Sequence, residues 1–169
     1  MGILKRFYPD YMYDSVHDIE ENFFRNNNIK FAVLDIDNTL VPYTVKTPTK
    51  PAIDFLRRLE AEGVKFCFLS NNNEERVMLF NNNINAPYEA NARKPLLSGL
   101  ERVMKKTGAA KENTILIGDQ IFTDVWTGKR AGIRAILVKP IEDKETLFFK
   151  FKRALERVVL EDYRKKMLK

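Results

Sequence analysis

The sequence predicts an α/β fold, a three-layer sandwich on a five-stranded, mainly parallel sheet. Three observations predict it. Five short apolar runs rich in β-branched residues recur along the chain, each of strand rather than helix length. They are hydrophobic almost without interruption instead of alternating, the pattern of strands covered on both faces. Stretches with helical spacing and readable stops lie between them, and strand–helix–strand repetition with short loops favours parallel pairing.

In chain order, residues 1–30 form a lead-in segment, whose opening MGILKRFYPDYMYD carries Lys5 and Arg6 but no long apolar run after them. The first strand run is FAVLDID, residues 31–37. A helix over 51–62 stops at Gly63, and the run VKFCFL follows over 64–69. A weak third strand lies near Tyr88. A helix over 96–107 stops at Gly108, with Pro95 suited to its first turn. The run TILI over 114–117 precedes a helix over 123–131 that stops at Gly132, and RAILV over 134–138 completes the sheet. Residues 144–169 form a basic C-terminal helix. Asn triplets at 26–28 and 81–83 mark turns and helix ends, because Asn tolerates left-handed backbone and forms Asx turns. At 169 residues the chain fits a single domain.

Composition excludes several classes. With 44% hydrophobic and 31% charged residues the chain is not disordered. The single cysteine, Cys67, rules out a disulfide framework and a cysteine-cluster zinc site, and the single histidine, His17, rules out a three-histidine metal centre. His17 suits a surface or capping role better than a catalytic one. No apolar run reaches the length of a membrane-spanning helix, so a cytoplasmic chain is expected. Of the net charge of +6, +5 falls in the last 26 residues, unlike a uniformly basic nucleic-acid binder.

The chemistry collects at strand ends. The first run ends in Asp35-Ile-Asp37-Asn-Thr39-Leu. Residues two apart on a strand share a face, so both carboxylates point the same way from its carboxyl end, which is where open α/β sheets bind ligands. Paired carboxylates repel unless a cation or proton joins them. The fourth run ends in Gly-Asp119-Gln, with Asp124 five residues later; oxygen ligands from two neighbouring strand ends suit Mg²⁺. The second run ends in Ser70-Asn71-Asn72, where a hydroxyl can donate to a phosphoryl oxygen. Arg93-Lys94-Pro95 sets a cation beside a helix start, which favours phosphate.

Singly these motifs are weak; their order and placement are specific. DxDNTL, then Ser, then Lys-Pro, then GDQxxTD resembles the four-part signature of the haloacid dehalogenase (HAD) superfamily over about residues 31–138. LDIDNTLVPY, LSNNN and ARKP resemble more closely the YqeG-like group of subfamily IIIA, similar to phosphatidylglycerophosphate phosphatases. The resemblance implies that Asp35 is a nucleophile forming an aspartyl-phosphate and that Asp37 is the general acid and then base. It implies that Ser70 and Lys94 hold the phosphoryl oxygens, with Thr39, Asn71 and Asn72 at the substrate. It further implies Mg²⁺ on the Asp35 carboxylate, the Asp37 backbone carbonyl and Asp119, with Asp124 in support through water or by orienting Lys94.

Family members often carry a cap domain inserted after the first or second motif. Here 33 positions separate Asp37 from Ser70 and 24 separate Ser70 from Lys94, room for the core elements alone. An open site without a cap suits a large phosphomonoester, such as a protein, a nucleic-acid end or a lipid head group. Resemblance and spacing together favour phosphatidylglycerophosphate in phospholipid synthesis. Protein or polynucleotide phosphate, and a phospho-accepting module without turnover, are the alternatives. In the C-terminal helix Phe148, Phe151, Leu155, Val158 (or Val159), Asp162 and Tyr163 recur at roughly helical spacing. That pattern fits a helix packed on the sheet with a solvated basic face, or a peripheral surface meeting anionic lipid. Nucleic acid is not an expected partner, and Trp126 is expected in the core.

Overall fold

In the computed structural model, which describes residues 3–143 and 146–167, six parallel strands form one sheet in the order β1-β6-β5-β2-β3-β4. The strands are β1 (Tyr11–Tyr13), β2 (Phe31–Leu34), β3 (Lys65–Leu69), β4 (Tyr88–Glu89), β5 (Thr114–Gly118) and β6 (Arg134–Val138). The helices are the one-turn α1 (Phe23–Asn26), α2 (Lys50–Ala61), α3 (Glu74–Asn81), α4 (Ser98–Thr107), α5 (Trp126–Ala131) and α6 (Leu147–Met167).

Continuous apolar runs end up buried on both sides. Ala32 and Leu34 of β2 face one layer, with Phe24, Phe55, Leu59, Val77 and Phe80 from α1, α2 and α3. Phe31 and Val33 face the other, with Leu100, Val103 and Met104 of α4. All four residues of β2 are buried, which is why period-2 alternation is absent. Cys67, on β3, lies in the second layer, and burial pushes its thiol up to about 12, leaving it a small core hydrophobe.

Helix α2 shows how local signals and packing agree. Thr49 caps it by accepting from the Ala52 N–H, and Pro51 takes an early position where its missing donor costs nothing. Ala52, Phe55, Leu56 and Leu59 fall three or four residues apart and make one buried face. The helix ends where Gly63 adopts φ +76°, a conformation that costs glycine little.

Four expectations need correction. The sheet has six strands, not five, and is wholly parallel. Its extra edge strand, β1, comes from the lead-in segment and pairs Tyr11–Tyr13 with Ile136–Val138. Three residues between Asp10 and Asp14 make too short an apolar run to register in sequence. Second, β2 ends at Leu34, so Asp35 and Asp37 lie beyond the regular strand, and Asp37 forms an isolated bridge to Val41. Third, α4 begins at Ser98, beyond Pro95, and the helix expected over 123–131 is split: a π-turn over Ile121–Val125 feeds α5. Fourth, Trp126 is half-buried, with its ring against Phe7 and under the Arg130 guanidinium. Residues 144, 145, 168 and 169 of the expected C-terminal helix lie outside the described residues.

The topology positions the site. From β2 the chain moves to β3 and β4 on one side, then crosses back to β5 and β6 on the other. The connections diverge at the carboxyl ends of β2 and β5, leaving a crevice there. No insertion follows the first or second strand end: residues 38–64 hold a loop and α2, and 71–93 hold α3 and β4.

Leu59 is fully buried in the apolar layer that α1, α2 and α3 form against the sheet. Leu59→Ala is expected to cost about 2–5 kcal/mol of stability, measured as a lower urea midpoint at unchanged slope.

Candidate active site

The crevice at the switch point is built from the four segments that follow β2, β3, β4 and β5, with α6 as a further wall. Asp35 follows β2 directly, and its N–H donates to the Ile117 carbonyl of β5 (2.9 Å), which locks the loop to the neighbouring strand. Its carboxylate accepts from Thr39 Oγ1 at 2.9 Å and from Lys94 Nζ at 2.7 Å. Lys94 also donates to Asp124 Oδ1 at 2.7 Å. Burial alone would depress the Lys94 ammonium, but Asp124 and Asp35 outweigh it and raise its pKa. Its third hydrogen has no partner among the described residues.

Asn71 explains how Lys94 is delivered. Its Oδ1 accepts from the Lys94 N–H at 2.6 Å and its Nδ2 donates to the Lys94 carbonyl at 3.1 Å, so one side chain grips the two peptide groups that flank the Lys94 Cα. The approach is irregular backbone, with Asn91 and Arg93 at φ +47° and +56° and a cis Lys94–Pro95 bond. Ser70 is buried at the end of β3, where its Oγ accepts from the Asn72 N–H at 3.0 Å.

Asp119 comes from the end of β5 and Asp124 from the π-turn that follows. The glycine before Asp119 has a steric cause: a Cβ on Gly118 would lie 2.2 Å from Asp124 Cγ. Asp124 is held there by the Gln120 N–H at 3.1 Å as well as by Lys94. Carboxylate oxygens of Asp35, Asp119 and Asp124 lie within 4.8 Å of one another, all three residues buried. Burial and the neighbouring carboxylates push the Asp119 carboxyl up to about 8, and burial chiefly pushes Asp35 up to about 6. Asp119 Oδ1 is buried with no hydrogen-bond partner among the described residues. Three grouped carboxylates, one of them with an unpartnered oxygen, make a donor set that fits a hard divalent cation.

Asp37 does not share this cluster. Its Oδ1 is gripped by Arg76 Nη2 at 2.6 Å and Nε at 3.1 Å, and its Oδ2 accepts from Asn72 Nδ2 at 3.1 Å. The two carboxylates of the first motif therefore face different partners, because the chain leaves strand geometry between them. Both still line one cleft of about 420 Å³, together with Ser70, Asn71, Asn72, Lys94 and Asp124.

Several residues at the site gave no sequence signal. Arg76 is buried on α3 and also donates to the Val45 and Lys46 carbonyls. From α6, Arg153 donates to the Asp119 carbonyl (3.1 Å) and to its Oδ2 (2.9 Å). Glu156 accepts from Arg153 and from the Ile121 N–H, fixing the helix to the π-turn. Phe148, Phe149 and Lys152 form a wall of the cleft, and Lys152 bonds Gln120. Arg76, Arg153, Glu156 and Lys152 reach partners thirty or more residues distant, so no local spacing betrays them; the Arg153–Glu156 pair at i, i+3 is the one available hint. His17 stands apart, in an exposed turn against the Phe55 ring.

Fold and strand-end acids together define a Rossmann-like α/β core whose switch-point cleft is flanked by a donor set fitting a divalent cation. A HAD-hydrolase-like family model matches residues 91–160. Probable phosphatase YqeG of Bacillus subtilis (strain 168) is 33% identical over 165 residues, 97% of this chain and 96% of that protein. The chain belongs to the HAD superfamily, with the YqeG-like phosphatases of subfamily IIIA. The fold is shared with an uncharacterized protein of Listeria monocytogenes serotype 4b (TM-score 0.56, 19% identity, 70% of this chain and 85% of that one). It is also shared with the cobalt-bound deoxy-D-mannose-octulosonate 8-phosphate phosphatase YrbI of Haemophilus influenzae (TM-score 0.50, 15% identity, 68% and 80%).

The raised carboxyls give stability a definite pH dependence when divalent cations are chelated. Below about pH 4 these carboxyls are protonated in both folded and unfolded chains. Above it the unfolded chain ionises freely while Asp35 and Asp119 hold their protons until about pH 6 and 8, so their contribution to stability is lost as pH rises through those values. Urea midpoints in chelator should therefore fall across this window in the wild type and fall less in Asp119→Asn. Parallel profiles would contradict it.

Proposed function

We propose that the protein is a Mg²⁺-dependent phosphomonoester hydrolase working through an aspartyl-phosphate on Asp35. The observation that carries this reading is Asp35 at the switch point, 2.7 Å from the Lys94 ammonium and grouped with the Asp119 and Asp124 carboxylates. In the first step an Asp35 carboxylate oxygen bonds to phosphorus as the phosphorus–alkoxide bond breaks, and the leaving oxygen takes a proton from Asp37. In the second, water bonds to phosphorus and gives its proton to Asp37, releasing inorganic phosphate and restoring Asp35.

Each remaining side chain has a role consistent with its place. Lys94 has a donor left for a phosphoryl oxygen, and the Ser70 hydroxyl, which accepts from Asn72, has its own proton to donate. Asn71 fixes Lys94, Thr39 fixes Asp35, and Asn72 with Arg76 orients Asp37. Mg²⁺ on the Asp35 and Asp119 carboxylates and the Asp37 backbone carbonyl, supported by Asp124, would supply charge neutralisation between carboxylate and phosphate. Asp124 supports the cluster also by pairing with Lys94.

The substrate we infer is a lipid head-group phosphate, phosphatidylglycerophosphate in phospholipid synthesis, hydrolysed by a cytoplasmic enzyme at the membrane face. Supporting this are the family resemblance, the absence of an inserted cap among the described residues, and a cleft open at the molecular surface. An enzyme without a lid relies on its substrate or a partner surface to exclude water.

With Mg²⁺ present, Asp35→Asn should lose at least about a thousandfold in kcat on 4-nitrophenyl phosphate, and phosphatidylglycerophosphate in mixed micelles should be preferred in kcat/KM. Equal turnover by the variant removes the mechanism. Preference for a phosphopeptide or a nucleic-acid end removes only the substrate.

A further inference from the structure

Helix α6 has an apolar stripe, and the stripe faces the wrong way for a packed helix. The side turned to the domain is held by Arg153, buried Glu156 and buried Val159, the last packed with Ile121, Val125 and Leu137, and by Tyr163, whose ring meets Tyr8. Leu147, Phe148, Phe151, Leu155 and Val158 point to solvent, at 85, 71, 64, 44 and 56% exposure. With 3.6 residues per turn these five fall within about a 100° arc. Their periodicity is thus not that of a helix packed on the sheet. A contiguous exposed row of large apolar side chains on a globular domain marks an interaction surface.

Two further features identify what this surface fits. Exposed Lys150, Arg157, Arg164 and Lys165 accompany the stripe. Of the acids on the described helix, Glu156 is buried against Arg153, Asp162 is paired with Lys166 and Tyr8, and Glu161 is exposed. The balance is cationic, complementary to an anionic surface and self-repelling toward a second copy. The stripe is also continuous with the active-site cleft, since Phe148 belongs to both.

We propose that the solvent-facing side of α6 is a membrane-docking surface that seats the mouth of the cleft on an anionic lipid bilayer. Phe148, Phe151, Leu155 and Val158 enter the acyl boundary while the flanking cations meet phosphate head groups, the arrangement of an interfacial amphipathic helix. The same helix bonds Asp119 through Arg153 on its domain-facing side, while Phe148 at its N-terminal end reaches the cleft, so one element joins the docking stripe to the carboxylate cluster. The docking rests on the phosphatase reading only for what it delivers to the cleft.

The test is co-sedimentation of the full chain with phosphatidylcholine vesicles containing about 30 mol % phosphatidylglycerol, and with phosphatidylcholine alone. It uses the wild type, Phe151→Ser/Leu155→Ser/Val158→Ser and Lys150→Glu/Arg157→Glu, all changed at exposed positions outside the cleft. The wild type should bind the anionic vesicles and not the neutral ones. Each variant should bind at least about tenfold more weakly, with unchanged circular dichroism and unchanged hydrolysis of 4-nitrophenyl phosphate. The proposal is overturned if the wild type stays in the supernatant, if the variants bind equally, or if the stripe proves to hold a dimer that the triple variant dissociates. Vesicle binding without hydrolysis of any phosphomonoester would leave the docking standing and remove the catalytic reading instead.

Discussion

Three carboxylates buried within 4.8 Å of one another are the constraint around which this molecule is arranged. At an effective dielectric constant near 20, each such pair repels by roughly 4 kcal/mol at about 4 Å. Lys94 offsets part of this by bonding Asp35 and Asp124 at once, and Arg153 offsets more by holding Asp119. Arg153 is shared with buried Glu156, so the positive charges remain outnumbered; burial first, and this imbalance with it, raises the Asp119 and Asp35 carboxyls, and Asp119 Oδ1 is left without a partner among the described residues.

The scaffold exists to maintain that arrangement. The switch between β2 and β5 brings Asp35 and Asp119 to adjacent strand ends, locked by the Asp35 N–H bond to Ile117. The π-turn rather than a regular helix start carries Asp124 back over β5, possible because Gly118 has no side chain. Asn71 clamps the peptide groups on either side of the Lys94 Cα. The C-terminal helix closes the set, and its Arg153 and Glu156 make it part of the site rather than a surface ornament.

Legibility in the sequence followed the range of the interactions. Four strands were visible as buried runs, and the fifth only faintly near Tyr88, because both faces of a central parallel sheet are apolar; β1 was invisible because three half-buried edge residues make no run. Asp35, Asp119, Asp124, Lys94 and Ser70 stood out as polar residues where apolar runs stop; Asp35, Asp124, Lys94 and Ser70 line one crevice, and a carboxylate oxygen of Asp119 lies within 4.8 Å of Asp35 and Asp124 behind it. Arg76 and Arg153 did not stand out, since a cation on a helix looks solvated until its distant partner is known. The α6 periodicity was legible but its orientation was not: hydropathy says that one face is apolar, and only Glu156 and Val159 show which face the domain takes.

Calorimetric titration of the chelated, dialysed chain with Mg²⁺ addresses the charge deficit most directly. The account predicts one bound ion per chain, with proton release on binding and affinity lowered at least about tenfold in Asp119→Asn. No detectable binding by the wild type, or equal affinity in the variant, would mean that the buried carboxylates are compensated by the protein alone.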